Sequence, residues 1–153
     1  MANLIIEKLF GVANLSLEVG SATCHIKDNI LMVEVIFPKA YDSDGGEKPA
    51  DFWFKESEAR LELELPIPKS VKNVIDHTFF IDSEDEDNED LTNFFIANTH
   101  YPTFDDTILI RQTEDSHVLQ WSGLVPDIKT DRYEMYMQIR YKFALETPIL
   151  FQK

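Results

Sequence analysis

Only one cysteine, Cys24, is available to the whole chain, so no intramolecular disulfide and no zinc site built on several thiolates can form. That economy suits a reducing cytoplasm. Glycine is scarce too, and its one adjacent pair, Gly45-Gly46, is not followed by the Gly-Lys-Ser/Thr of a phosphate-binding loop, which leaves nucleotide hydrolysis without support. Long apolar runs are missing: a membrane-spanning helix needs about 18 apolar residues in succession, and the run that begins at Ile30 stops at Glu34. The opening Met1 to Lys8 has no basic stretch ahead of an apolar one, which disfavours a secretory signal. Basic residues are the last shortage. With 14 Lys and Arg against 28 Asp and Glu, no basic stripe with interleaved aromatics exists to meet a phosphate backbone, and direct nucleic-acid binding is disfavoured.

What the chain does have is acid, unevenly placed. Of the formal net charge of −14, residues 41 to 125 carry the whole excess, because the acids and bases of the two ends cancel. Within that segment Asp82-Ser83-Glu84-Asp85-Glu86-Asp87-Asn88-Glu89-Asp90 has seven carboxylates and no base. Repulsion between neighbours and the poor strand propensity of Asp and Asn make residues 82–90 a loop. Such a concentration attracts a cation or a basic protein surface, and it raises the rate of encounter with an oppositely charged partner.

The remaining sequence alternates with period two. Met135, Met137, Ile139, Tyr141, Phe143 and Leu145 interleave with Glu134, Tyr136, Gln138, Arg140 and Lys142, and an extended stretch at Val118–Trp121 and Leu124-Val125 precedes them, which predicts a long hairpin. Ala59–Leu65 places Leu61, Leu63 and Leu65 on one face and Arg60, Glu62 and Glu64 on the other, and Pro66 and Pro68 end that strand. Three short strands with tight turns at Gly20-Ser21 and Asp28-Asn29 account for Leu15 to Phe37. Leu4–Phe10, Thr78–Ile81, Phe94–Asn98 and Thr107–Arg111 add further candidates. Helix signals are few: Asp51–Glu58 and Lys69–Asp76 each suit a turn or two, with Ser70 as an N-cap for the second. The expected fold is all-β, a single domain over residues 1–153 forming an antiparallel β-sandwich, with a barrel as second choice and at most one or two short helices.

No arrangement of residues specifies catalysis. Cys24 and His25 are strand neighbours and point to opposite faces, so they do not form a nucleophile and base. Ser116-His117 beside Asp115 has the residue types of a hydrolase triad in an order that reads as a hairpin turn. His25, His77, His100 and His117 stand at no metal-binding spacing. Glu62 with Glu64, and Asp105-Asp106, are carboxylate pairs of the kind an acidic composition produces. Phe52-Trp53-Phe54 reads as core packing. Asp42-Ser43-Asp44-Gly45-Gly46 and the acidic loop offer oxygen ligands to calcium, although both depart from the helix-loop-helix pattern.

The reading that fits best is a non-enzymatic protein-binding domain: an acidic cytoplasmic inhibitor or immunity protein that captures a basic protein such as a toxin, without cofactor or metal. Its candidate binding residues are Asp82, Glu84, Asp85, Glu86, Asp87, Glu89 and Asp90 of the loop, with Tyr136 and Arg140 on the polar face of the C-terminal strand. The alternative is a calcium-dependent β-sandwich that binds lipid or carbohydrate through the acidic loops.

Overall fold

Alternation along the chain becomes a sheet because every second residue can be buried while the backbone pairs sideways. The computed structural model describes residues 2–7, 15–38, 40–42, 58–88, 91–96, 99–126 and 140–152. Its strands are β1 (Asn3–Ile6), β2 (Leu15–Glu18), β3 (Ser21–Lys27), β4 (Ile30–Phe37), β5 (Ala40–Asp42), β6 (Ala59–Pro66), β7 (Thr78–Phe80), β8 (Thr92–Ile96), β9 (Thr99–Pro102), β10 (Phe104–Gln112), β11 (His117–Pro126) and β12 (Arg140–Phe151). All twelve belong to one branched sheet that curls into a half-barrel. The all-β expectation holds, in a form between the sandwich and the barrel.

β12 is where the sheet branches. Along one edge it pairs with β11 from Arg140 opposite Pro126 to Ile149 opposite His117, which is the long C-terminal hairpin expected from the alternation. Its other edge is shared. β1 occupies Phe143 to Leu145, and β3 takes over at Leu150 and Phe151 in a parallel ladder. Pro148 lies between the two, at a stretch where no described strand pairs with that edge, so its missing N–H is tolerated there. One arm therefore runs β5-β2-β1-β12-β11-β10-β7, and the other runs from the end of β12 through β3-β4-β6-β8-β9.

Inward-facing residues of both arms form one apolar cluster. Leu31, Val33, Val35 and Phe37 of β4 meet Leu61, Leu63 and Leu65 of β6 from the second arm, while Ile108, Leu119, Trp121, Phe143 and Leu145 come from the first. Trp121, Phe37 and Phe94 are the largest fully buried side chains. Asp28 and Asn29, with φ of 53° and 64°, make the two-residue turn whose twist suits the β3–β4 hairpin. Asn29 also exchanges hydrogen bonds with Ile67, at 2.9 Å in each direction, which fastens this turn to the end of β6. Pro66 closes β6 as its sequence predicts.

Several boundaries differ from the sequence reading. β12 continues to Phe151, past Leu145, because Thr147 and Ile149 keep the inward parity despite Pro148. β9 and β5 were not foreseen, and Asp42 lies in β5 opposite Leu15 instead of in a loop. Lys69–Asp76 forms no helix, and Ser70 caps none. Val71 N–H closes a turn on the Pro68 carbonyl, and the Asn73 side chain takes the Ile75 N–H. Ile75 then bridges to Ile110 of β10, so the β-branched residues Val74 and Ile75 lie along the sheet. Residues 51–57 of the other helix candidate, including Phe52-Trp53-Phe54, lie outside the described residues. Among the described residues no helix is long and apolar enough to cross a membrane.

One irregularity breaks the β10–β11 ladder. Phe104 opposes Leu124 and Thr107 opposes Ser122, so Asp105 and Asp106 together face Gly123, a β-bulge. A Cβ on Gly123 would stand 3.0 Å from the Phe104 carbonyl oxygen, 3.0 Å from the Phe143 ring and 3.2 Å from Asp106 Oδ2. A methyl there requires the Phe104 backbone, the Phe143 ring or Asp106 to move by a few tenths of an ångström. Gly123→Ala is therefore expected to lower stability by about 1–3 kcal/mol, as over-packing of a filled core does. Urea midpoints of the two proteins measure it, and an unchanged midpoint would show that the bulge has room.

Candidate functional site

Asp106 faces inward. It has the parity of Ile108 and Ile110 along β10, so alternation puts a carboxylate where an apolar side chain belongs, and Asp106 is fully buried beside the bulge. Asp105 takes the strained position, with φ of 51°, a conformation that Asp tolerates better than most residues.

A buried carboxylate must be hydrogen-bonded. Trp121 Nε1–H donates to Asp106 Oδ2 at 2.6 Å, and the Thr103 hydroxyl lies 2.8 Å and 3.0 Å from the two carboxylate oxygens. Thr92 Oγ1 is 3.3 Å from Oδ1, and the two threonine hydroxyls are 2.6 Å apart. Burial pushes the Asp106 carboxyl up to about 6, against the lowering effect of Trp121, Thr103 and Thr92. Thr92 is on β8 and Trp121 on β11, so the carboxylate joins the two arms of the sheet on the side away from β12.

Asp106 also stands at the neck of the acidic loop. Its backbone carbonyl accepts the Ile81 N–H at 2.8 Å where the chain enters the loop, and its carboxylate meets Thr92 just after the chain leaves it. Between these points the acids order their own backbone. Asp82 Oδ1 accepts the Glu84 N–H at 2.9 Å and Asp85 Oδ1 accepts the Asp87 N–H at 3.0 Å, as Asx turns do. Asn88 Nδ2 donates to the Asp82 carbonyl, and Glu86–Asn88 makes one 3-10 turn. Ser83 Oγ donates to Asp105 Oδ1 at 2.7 Å, which fixes the loop to the bulge. Asp82, Glu84, Asp85, Glu86 and Asp87 are all exposed, and among the described residues neither ion pair involves them.

Arg140 is exposed at the start of β12, and its guanidinium stacks over the Phe104 ring, 3.8 Å from the centroid. The bulge thus brings together two features that are far apart in the sequence: Arg140 on Phe104, and the acidic loop on the next residue, Asp105. Glu89, Asp90 and Tyr136, which complete the set expected from sequence, lie outside the described residues.

A second acidic surface adjoins the loop. Glu64 N–H donates to the carbonyl of Leu91, the residue that leads into β8. On the outer face of the second arm Glu34 pairs directly with Glu62, and Met32 with Glu64. Like charges opposite each other are unfavourable. Burial raises the Glu62 carboxyl above its ordinary value and Glu34 raises it further, while Arg60, in an ion pair with Glu62, lowers it. These glutamates, with Thr23, His25 and Met32, line a cavity of about 220 Å³. The sequence shows Glu62 and Glu64 sharing a face, but Glu34 joins them only through strand register.

The catalytic types do not converge among the described residues. Cys24 is buried, its thiol pushed up to about 11 by burial, and His25 lies on the opposite face, as the alternation requires. Thr113 and Ser116 close the β10–β11 hairpin turn, and the His117 ring packs on Phe151. His77 and His100 pack on Phe79 and Phe95. No group of three or more His, Cys, Asp and Glu is placed to hold a metal ion among the described residues. Asp44 of the calcium reading lies outside them, and Asp82 and Asp85 already accept backbone N–H groups. Compared with protein-family models, curated proteins and solved structures, the chain has no match.

The Asp106 carboxyl gives a signed prediction. A folded pKa of about 6 against an ordinary 3.8 means that the folded state holds the proton more tightly, so this group favours folding most below about pH 4 and loses that advantage as pH rises to about 6. Asp106→Asn does not titrate. Its stability relative to wild type should therefore rise by roughly 2 kcal/mol between about pH 4 and pH 7. Urea titrations across that range measure the difference, and a difference that stays flat with pH would show that Asp106 does not titrate there.

Proposed function

We propose that this protein is a non-enzymatic binding domain that captures a basic protein, acting as an acidic inhibitor of the immunity-protein kind. The observation that carries this reading is the state of residues 82–88: the loop is ordered by its own hydrogen bonds, while its carboxylates face solvent and lie outside both ion pairs of the described residues. A preformed charged loop loses little conformational freedom when it meets a partner, and its field accelerates encounter. The glutamate row at Glu34, Glu62 and Glu64 extends the same sign of charge beside the point where the loop ends. A cytoplasmic setting fits the single unpaired cysteine.

The division of labour is physical. Exposed loop charges act mainly on the association rate, and a smaller set of desolvated contacts governs dissociation. The test is capture from native cell extract on wild-type protein, followed by kinetics with the purified captured protein. Replacing Asp85, Glu86 and Asp87 with Asn, Gln and Asn is expected to slow association about tenfold at low salt, with the difference lost near 0.5 M salt. Capture of a protein without a basic surface, or unchanged association at low salt, would remove the loop from the mechanism.

A further inference from the structure

Among the described residues the edge of the sheet beside the acidic loop is open. β7 pairs with β10 on one side, Phe80 opposite Thr107 and Thr78 opposite Leu109, and among the described residues no strand pairs with its other side. The Ile81 N–H bonds the Asp106 carbonyl directly across the ladder. Because hydrogen-bonded and non-hydrogen-bonded pairs alternate in an antiparallel ladder, Phe79 also faces β10, and the N–H and C=O groups of Thr78 and Phe80 point to the open edge. Phe80 is 64% exposed, the highest value among the large apolar side chains that are described as exposed. A shallow groove of about 410 Å³ runs inward from this edge over the outer face, lined by Thr78, Thr107, Leu109, Gln120, Ala144 and Glu146.

Charge selects the occupant. The chain passes directly from β7 into Asp82, Glu84, Asp85, Glu86 and Asp87, so any strand laid along β7 runs beside these carboxylates. A second copy of this chain, with a net charge of −14 and the same loop beside the same edge, is repelled. A basic extended segment is attracted, and it has an unpaired backbone ladder to complete and an exposed aromatic to cover.

We infer that β7 is a strand-addition site: an extended segment of the basic partner pairs with Thr78 and Phe80, sets an apolar side chain against Phe80, and places its Lys or Arg residues against the acidic loop. This rests on the proposed capture of a basic protein and assigns the part of the partner that docks. Backbone pairing supplies affinity, and alternate side chains supply selectivity.

The probe is a capped peptide of alternating Lys and Val, about eight residues long, compared with an analogue of equal charge that carries Pro at its two central Val positions. Proline cannot donate to the ladder, so the analogue keeps the charge and loses the pairing. The expected result is binding of the first peptide, with slowed amide exchange at Thr78 and Phe80, and at least about tenfold weaker binding of the analogue. Phe80→Lys, confirmed as folded by its melting temperature, should weaken the first peptide by a similar factor. Equal binding of the two peptides would overturn strand addition and leave the capture of basic partners standing. Failure of both peptides to bind at millimolar concentration would overturn strand addition as well, and the capture experiment with the loop variant then decides the broader reading independently.

Discussion

A single buried carboxylate holds this architecture in register. Asp106 has no exposure, yet it receives the Trp121 indole from β11 and the Thr103 and Thr92 hydroxyls from the segment that links the second arm to the first. Breaking such a network by removing one partner leaves an uncompensated polar group in the core, which costs on the order of 1–3 kcal/mol per orphaned group. The half-barrel is therefore fastened twice: covalently along β12, whose two ends belong to different arms, and by hydrogen bonds at Asp106. The bulge and the glycine opposite it fit together, since a Cβ on Gly123 would crowd the Phe104 carbonyl and Asp106.

The surface proposed for binding inherits its shape from that fastening. The acidic run enters at Ile81, held by the Asp106 carbonyl, and leaves towards Thr92, which reaches the Asp106 carboxylate, so the loop is closed at its neck. Ser83 on Asp105 fixes its tilt. Mutual repulsion among the acids works against order, and the Asx turns of Asp82 and Asp85 offset it locally by making two carboxylates into backbone acceptors. The result is a concentrated negative field on a hydrogen-bonded base, next to a strand edge that no described strand pairs with and an exposed phenylalanine. Steering charge and apolar contact, which interfaces commonly separate into rim and centre, stand here on consecutive pieces of chain.

Much of the fold was legible because it rests on parity. Alternation at Leu61, Leu63 and Leu65, and at Phe143 and Leu145, is a local property, and burial follows it in the structure. The Asp28-Asn29 turn and the stop at Pro66 are equally local. The Asp106 site was not legible. Asp105-Asp106 looks like any other acidic pair in a chain with 28 acids: Asp106 shares the parity of Ile108 and Ile110, but the donors that make a carboxylate tolerable there, Trp121, Thr103 and Thr92, come from other segments. That parity and the glycine in Trp121-Ser122-Gly123-Leu124 were the available signs. The Lys69–Asp76 helix failed for a related reason: its apolar residues satisfy a helical spacing, but Ile110 was there to pair with, and tertiary pairing overrode a weak local preference. Glu34 opposite Glu62, and Arg140 beside the loop through Phe104, are likewise products of register that no local window contains.

The fastening of the two arms depends on Asp106 being buried against Trp121. In a Trp53→Phe background, which leaves Trp121 as the one indole, the Nε1–H resonance followed by NMR from about pH 4 to pH 8 reports on that bond. A buried Asp106–Trp121 bond predicts an exchange-protected proton whose chemical shift titrates with a midpoint near 6, the value to which burial raises the Asp106 carboxyl. A proton that exchanges as fast as a solvent-exposed indole, or a shift that does not move between those limits, would contradict it.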